Sequence, residues 1–215
     1  MKKLILKMSV SIDGFVAGPK GEIDWVFTTE SKDAEKWEVD TLWNASLHLM
    51  GSRTYHDMAA WWPTSKEIFA PPMNEIPKGI FSRRGVLKPN KALTTRAVKH
   101  ALAANPGKRG AKPSAQVWDS WLHPRFFSGD LSNEIKRLKS SSGKPLLAHG
   151  GAKFARSLVK TGLVDEYHLL VHPVLLGKGL PIFTELTKRR MLELVESLPF
   201  KSGAVAHVYR AKKSP

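Results

Sequence analysis

The sequence has 215 residues, of which 42% are hydrophobic and 25% are charged, and its formal net charge at pH 7 is +15. This composition is typical of a globular protein and excludes a disordered chain, and the length fits one α/β domain. The absence of cysteine excludes disulfides, thiolate metal sites and a zinc deaminase centre built on a Cys-x-x-Cys pair. It also fits cytoplasmic residence, which is where we expect the protein.

The first seven residues contain three lysines beside apolar side chains, a pattern that resembles the start of an export signal. Lys7, Ser9, Ser11 and Asp13 interrupt every apolar run there, so we interpret the segment as a strand. No stretch of the sequence approaches the roughly 18 consecutive apolar residues of a membrane helix. We therefore expect no contact with a membrane.

The excess of positive charge is concentrated between residues 78 and 112 and in the C-terminal tail. The first of these regions contains Lys78, Arg83, Arg84, Lys88, Lys91, Arg96, Lys99, Lys108, Arg109 and Lys112. A solvated basic face and a nucleic-acid surface both fit this pattern, and the solvated face is the interpretation we favour.

Apolar residues alternate over 4–10 and predict a first strand that ends in a glycine-containing loop. A helix is predicted over 31–45, with Ser31 as its cap and Asp33 and Glu35 in its first turn. A short strand over 47–51 follows, and a second helix begins at Ser52. Pro63 and the pair Pro71-Pro72 predict a loop before the next strand at 79–82.

The pattern weakens from about 86 to 130, where prolines and glycines recur, although 94–104 has the composition of a short basic helix. We interpret this region as an elaborated basic insert on the surface of one domain that spans residues 1–215. Regular elements then return: the predicted order is a helix over 131–138, a strand over 144–149, a helix over 153–160, a strand over 165–171 and a hairpin of strands at 191–197 and 204–211.

Strands that alternate with helices predict an α/β fold with a mostly parallel central sheet covered by helices on both faces. The final hairpin predicts an antiparallel edge to this mixed sheet.

Two predicted strands end in glycine where a helix begins, at Gly51 and at Gly150-Gly151. A helix N-terminus offers unpaired N–H groups and the positive end of a dipole, so a pyrophosphate is a natural ligand for such a turn. The alternative is a purely structural glycine. The sequence has no Gly-x-Gly-x-x-Gly after its first strand and no Gly-x-x-x-x-Gly-Lys-Ser/Thr, so a Rossmann fingerprint and a P-loop are both absent.

Other polar and aromatic residues are candidates for the same site. Ser82 and Arg83, directly after a strand, place a hydroxyl and a guanidinium where a 2'-phosphate of NADP could bind, unless they form a solvated basic loop. Asp13 is a candidate to orient or protonate a substrate, or else to cap its own loop. Trp25 could stack on a heterocycle, or be an ordinary core residue.

Two further patterns favour a structural explanation. His48, His56, His149, His168 and His172 have no metal-ligand spacing, so we predict no metal. The pair Trp61-Trp62 is predicted to belong to the core or to an interface patch.

Taken in order, seven segments carry a family resemblance. They are Ser11 to Ala17, Asp24-Trp25, Met50 to Tyr55, Ser82-Arg83, Gly150-Gly151, Leu163 to Glu166 and Pro173 to Gly179. This arrangement resembles the dihydrofolate reductase-like family, which includes the C-terminal reductase domain of bacterial riboflavin-biosynthesis deaminase-reductases. The resemblance covers nearly the whole chain outside about 86–130.

The resemblance implies a reductase in which NADPH lies across the carboxyl ends of the strands and gives a hydride to a small pterin-like or ribosylaminopyrimidine-like substrate. The residues it implies for the pyrophosphate are Gly51, Ser52, Arg53 and Thr54 on one side and Gly150, Gly151, Ala152 and Lys153 on the other. It assigns Ser82 and Arg83 to the 2'-phosphate. The substrate is assigned to Ser11, Asp13 and Trp25, with Asp13 as the catalytic residue.

The cofactor and the function each have an alternative. Members of this family commonly have an arginine directly after the first glycine, where this chain has Ser52 followed by Arg53, so NADH is an alternative to NADPH. A non-catalytic protein that binds a dinucleotide or a nucleic acid on the same scaffold is the alternative function. We also expect a homodimer, because relatives commonly pair.

Overall fold

The computed structural model describes residues 1–83, 107, 110–184 and 186–212. These residues form an eight-stranded sheet with the strand order β4-β3-β2-β5-β1-β6-β8-β7. The strands are β1 (Leu4–Ser11), β2 (Leu47–Gly51), β3 (Lys78–Phe81), β4 (Arg125–Phe127), β5 (Leu146–His149), β6 (Glu166–His172), β7 (Leu192–Pro199) and β8 (Val205–Ala211).

The first six strands pair in parallel, whereas β8 runs antiparallel to both β6 and β7. The α-helices are α1 (Lys32–Trp43), α2 (Ser52–Trp61), α3 (Ala70–Glu75), α4 (Ala115–Leu122), α5 (Leu131–Lys139) and α6 (Ala152–Thr161). A mixed, mostly parallel sheet with flanking helices and a C-terminal antiparallel hairpin is the fold that the sequence predicts, and the structure confirms it.

Successive residues of a strand face opposite sides of the sheet, and this alternation divides the core into two layers. On one side Leu4 and Leu6 of β1 pack with Phe154 and Leu158 of α6. On the other side Ile5 belongs to a cluster with residues of α1, α2 and α3. Lys7 follows two residues after Ile5, and it therefore faces the same side as that cluster.

The prediction that residues 86–130 form a surface insert is wrong for the last part of this region, Ala115–Phe127. Residues 84–106, 108 and 109, which include the predicted basic helix over 94–104, lie outside the described residues. The segment that follows belongs to the core, because Trp121 of α4 is 1% exposed and its indole N–H donates to the Asn74 side chain at 2.8 Å. β4 then extends the sheet beside β3. The burial of the large Trp121 side chain stabilises this segment in the core, although its local sequence pattern predicts no regular structure.

Lys78 is also placed differently from the prediction, since it is no part of a solvated basic face. Its side chain is 1% exposed, and its ammonium donates to the Asn74 carbonyl at 2.8 Å and to the Ser120 hydroxyl at 2.9 Å. The ammonium also lies 4.5 Å from the ring centre of Trp121. Lys78 therefore joins β3 to α3 and α4.

Candidate active site

Two strand-to-helix turns meet at the carboxyl edge of the parallel strands, where ligands of open α/β sheets bind. One joins β2 to α2 at Gly51, and the other joins β5 to α6 at Gly151. The N-termini of α2 and α6 have no side-chain hydrogen bond to cap them, whereas α4 and α5 are capped by Ser114 and Asp130. α1 and α3 are also uncapped, and the predicted cap of α1, Ser31, makes no such bond. The uncapped N–H groups and helix dipoles suit an anionic ligand.

The two turns also touch each other, and the contact requires glycine. Gly150 and Gly151 have φ angles of +76° and +78°, in the left-handed region that other residues avoid. A Cβ atom on Gly150 would lie 2.6 Å from Cγ2 of Thr54, and one on Gly151 would lie 2.5 Å from its Oγ1. The first turn of α2 therefore rests directly on the backbone of the second glycine turn.

Both turns open into one large cavity of about 1120 Å³. This volume exceeds the roughly 300–1,000 Å³ of a typical small-molecule pocket, so the cavity has room for two ligands side by side. Every residue that the sequence predicts for the cofactor lines it: Gly51, Ser52, Arg53, Thr54, Ser82, Arg83, Gly150, Gly151, Ala152 and Lys153. We call this part of the cavity the dinucleotide arm.

Ser82 and Arg83 enter the dinucleotide arm from the end of β3. The Ser82 amide donates to the Phe127 carbonyl at 3.0 Å, which fixes the loop against β4. Ser82 is buried, and Arg83 is exposed at the cavity rim. A buried hydroxyl beside an exposed guanidinium can bind a phosphate monoester.

The other end of the cavity, which we call the substrate arm, lies between α1, α2 and the sheet, and its described lining is rich in apolar and aromatic side chains. These are Met8, Val16, Val26, Phe27, Leu42, Trp61, Trp62, Phe69 and Met73. The pair Trp61-Trp62, predicted as core or interface, thus lines the cavity, although Trp61 is only 7% exposed. A wall of this kind suits a flat ring.

An ion pair lies in the substrate arm. The Lys7 ammonium contacts the Glu38 carboxylate of α1, and both residues line the cavity with side-chain exposures of only 14% and 17%. Lys7 is the register partner of His149 at the end of β5. The pair presents a donor and an acceptor to a bound molecule, and a charged side chain in the middle of a buried strand is the sequence signal for it.

Two neutral histidines line the cavity near this ion pair. The His149 and His172 side chains are almost fully buried, and the Nε2 atom of each has no hydrogen-bond partner within the described structure. Burial lowers the pKa of His149 well below its usual value and that of His172 to about 4. Nδ1 of His172 lies 2.6 Å from the Thr29 hydroxyl, which orients the ring.

The residues predicted for the substrate occupy a different place. Within the described lining of the cavity, Ser11, Asp13 and Trp25 are all missing. The Asp13 carboxylate accepts hydrogen bonds from the Ser11 hydroxyl at 2.6 Å and from the amides of Leu176 and Gly177 at 3.1 Å and 2.7 Å. Trp25 is buried, with its ring edge on His172. Asp13 therefore clamps a loop, and Trp25 supports the cavity from behind.

Hydrogen bonding also explains the electrostatics of Asp13. The bond from the Ser11 hydroxyl, with smaller effects from the Gly177 and Leu176 amides, lowers the pKa of the Asp13 carboxyl below its usual 3.8. An exposed carboxylate with a lowered pKa is a poor proton donor at neutral pH. The geometry thus supports the loop-capping alternative.

The described part of the chain contains no group of three or more His, Asp or Glu residues arranged to hold a metal ion. It also contains no helix long and apolar enough to span a membrane. Most of the basic region that prompted the nucleic-acid alternative lies outside the described residues.

The fold and the cavity at its carboxyl edge define a dihydrofolate reductase-like α/β protein. Dihydrofolate reductase from Enterococcus faecalis, in a structure complexed with NADP(H), superposes with a TM-score of 0.56 at 11% identity, over 98% of this chain and 97% of that one. Within this class, the sequence profile of the RibD C-terminal domain matches residues 2–206, and the chain belongs to that family. The predicted resemblance is confirmed.

The individual relatives share less than 30% sequence identity with this chain. An uncharacterized protein of Bacillus subtilis, YyaP, is 27% identical over 214 residues, covering 97% of this chain and 94% of its own length. A putative riboflavin biosynthesis protein from Shewanella sp. PV-4 superposes with a TM-score of 0.66 at 18% identity, over 98% and 99% of the two chains. A deaminase/reductase from Thermotoga maritima gives 0.62 at 16% identity, with 98% of this chain matching 57% of that one.

Proposed function

We propose that this protein is a reductase that uses NADPH, or NADH, to transfer a hydride to a small heterocyclic substrate of the pterin or ribosylaminopyrimidine type. The observation that carries the proposal is the single cavity in which two uncapped helix N-termini, Ser82 and Arg83 adjoin a ring-sized aromatic arm. Two relatives support it by name: the Enterococcus faecalis enzyme is complexed with NADP(H), and the Thermotoga maritima protein is called a 5-amino-6-(5-phosphoribosylamino)uracil reductase.

The residues present fit a dinucleotide. The glycines at 150 and 151 let the first turn of α2 pack against the start of α6, so two helix N-termini without side-chain caps line the same cavity and offer N–H donors to a pyrophosphate. Arg83 would then hold a 2'-phosphate with Ser82. When bound, a nicotinamide supplies the hydride from its C4 atom.

The substrate arm would position the substrate, exclude water and supply a proton or hydrogen-bond donor. Its aromatic walls hold a ring in place and exclude water, which is most of what hydride transfer asks of a protein. The Lys7 ammonium donates a hydrogen bond or a proton to the substrate ring that accepts the hydride. Glu38 orients this ammonium through the ion pair. His149 and His172 stay neutral and add no charge to the arm.

A titration of cofactor fluorescence tests the proposal. Wild-type protein should bind NADPH saturably, and Arg83→Ala should weaken NADPH binding by about tenfold, the effect of losing one charge-assisted hydrogen bond. NADH binding should change little, since NADH has no 2'-phosphate. Lys136→Ala, which removes an exposed lysine of α5 outside the described lining, is the matched control. Absence of NADPH and NADH binding at millimolar concentration would contradict the proposal.

We also propose that the protein is a homodimer. β7 lies at one end of the sheet, and Leu194 and Val195 on it are 52% and 45% exposed. Exposed apolar side chains on an edge strand favour pairing with a second copy. Sedimentation equilibrium should give the mass of a dimer, and a monomer at the concentrations used for titration would contradict this.

A further inference from the structure

The substrate arm also limits the chemistry of the molecule that fills it, an inference that rests on the proposed function. A phosphorylated substrate needs cationic or N–H groups directed at its phosphate. In the described lining, the substrate arm has the cations Lys7 and the exposed Lys20. The other cations of the described lining belong to α2, α6 or the end of β3: Arg53, Arg83, Lys153, Arg156 and Lys160.

Lys7 is the cation placed most deeply in the substrate arm, and it is already paired. Its ammonium is held by Glu38 in a setting where both side chains are largely shielded from water. A phosphate could reach this ammonium only by displacing the carboxylate or by lying beside it. Either arrangement costs energy, because like charges repel strongly where the effective dielectric constant is low.

Further carboxylates increase this repulsion. Asp24, which begins the 3-10 helix Asp24–Thr29, and Glu35, in the first turn of α1, line the same cavity as Glu38. By contrast, the aromatic side chains of Phe27, Trp62 and Phe69 offer flat apolar surface. The arm thus favours a neutral ring and disfavours an anion.

We infer that the substrate is an uncharged planar ring without a phosphate group, bound between the aromatic side chains with its polar edge on the Lys7–Glu38 pair. One ammonium and one carboxylate together match a ring edge that has an acceptor next to a donor, such as a lactam. The substrate class therefore differs from the phosphoribosyl compound in the name of the Thermotoga maritima relative.

Two pairs of ligands that differ only in a phosphate test this inference. The protein is saturated with NADP⁺ and titrated, under anaerobic conditions, with 5-amino-6-(ribosylamino)uracil, 7,8-dihydroneopterin and the monophosphate of each, with heat and tryptophan fluorescence as readouts. At least one unphosphorylated ring should bind about tenfold more tightly than its phosphate, a difference of about 1.4 kcal/mol. A tighter phosphorylated form, equal affinities, or no binding by any of the four at millimolar concentration would overturn the inference.

A charge variant tests the physical reason. Glu38→Gln frees Lys7, so the affinity for the phosphorylated ring should rise by about tenfold relative to the unphosphorylated one. Asp40→Asn is the matched control, since Asp40 pairs with Lys36 on the same helix but is 62% exposed and outside the described lining. An unchanged ratio in Glu38→Gln would overturn the electrostatic argument. Failure of NADP⁺ to bind at the outset would instead contradict the proposed function, so the two failures are distinguishable.

Discussion

Lys7 shows how much a single residue can indicate. It is a charged side chain between the buried residues Leu6 and Met8, and such a residue in a buried strand is rarely structural alone. The alternation of β1 predicts its face of the sheet. Its partner Glu38 could not be predicted, because the contact depends on how α1 lies across the sheet, which no local pattern specifies.

Asp13 illustrates the opposite case. A carboxylate beside a glycine after the first strand fits a catalytic acid and a loop cap equally well from sequence, and only the hydrogen bonds from Leu176 and Gly177 separate the two. Those donors lie about 160 residues away in the chain and were beyond the reach of any local pattern.

Substitution of Asp13 should therefore act on stability. We expect Asp13→Asn to lower the urea midpoint of unfolding, while the rate of NADPH oxidation per folded molecule changes by no more than about twofold. Because hydrogen bonding lowers the pKa of Asp13 in the folded protein, its contribution is present above pH 3.8 and is lost as the pH falls through the folded value. A loss of turnover on the order of a hundredfold with unchanged stability would instead identify Asp13 as the catalytic acid.

Gly151 should affect both folding and binding. In Gly151→Ala the new Cβ meets Thr54 at a positive φ angle, so we expect a loss of about 2–3 kcal/mol in the free energy of unfolding and clearly weaker NADPH binding. Gly177→Ala is the control, because Gly177 has a φ of +69° with nothing within 4 Å of its would-be Cβ, and it should lose only about 1 kcal/mol. Equal NADPH affinity in the two variants would argue against a pyrophosphate at this turn.

At the scale of elements, the strand, glycine and helix units were predictable because apolar periodicity and glycine punctuation agree there. The predicted loop at Pro71-Pro72 is wrong, since both prolines lie in the first turn of α3, where the missing N–H costs nothing. α4 and β4 were hidden in an irregular segment, because their burial comes from long-range contacts of Trp121 and Phe127.

Lys78, which ties α3 and α4 to β3, should make stability depend on pH. Burial lowers its pKa from 10.5 to about 7 in the folded protein, so between these values the unfolded chain binds more protons than the folded one. The free energy of unfolding should rise across this window, by an amount on the order of 2–5 kcal/mol, and level off above it.

Urea unfolding at pH 7, 8, 9 and 10 measures this effect. Lys78→Met should lose the rise in the free energy of unfolding, because methionine does not titrate. The Asn74 carbonyl keeps a hydrogen-bond donor in this variant, since the Ser120 hydroxyl donates to it at 2.7 Å. Lys136→Met, at an exposed position on α5, should keep it. Parallel pH dependences in Lys78→Met and wild type would show that Lys78 is not the group responsible.

At the scale of the whole molecule, the fold class followed from the order of elements, and the dinucleotide arm followed from three short segments far apart in sequence. Parallel strands bring their carboxyl ends to one edge, so Gly51, Ser82 and Gly151 had to converge. The substrate arm was not predictable in the same way. It is made by side chains from α1, α2 and the segment around Phe69, whose relative placement depends on packing.

Hydrogen–deuterium exchange with and without saturating NADPH tests whether the dinucleotide binds between the N-termini of α2 and α6. NADPH should slow the exchange of amides in 51–56 and 150–156 and leave the hairpin strands β7 and β8 unchanged, since these strands lie at the far end of the sheet. Saturable NADPH binding without protection of either helix start, or with protection confined to other segments, would contradict this placement.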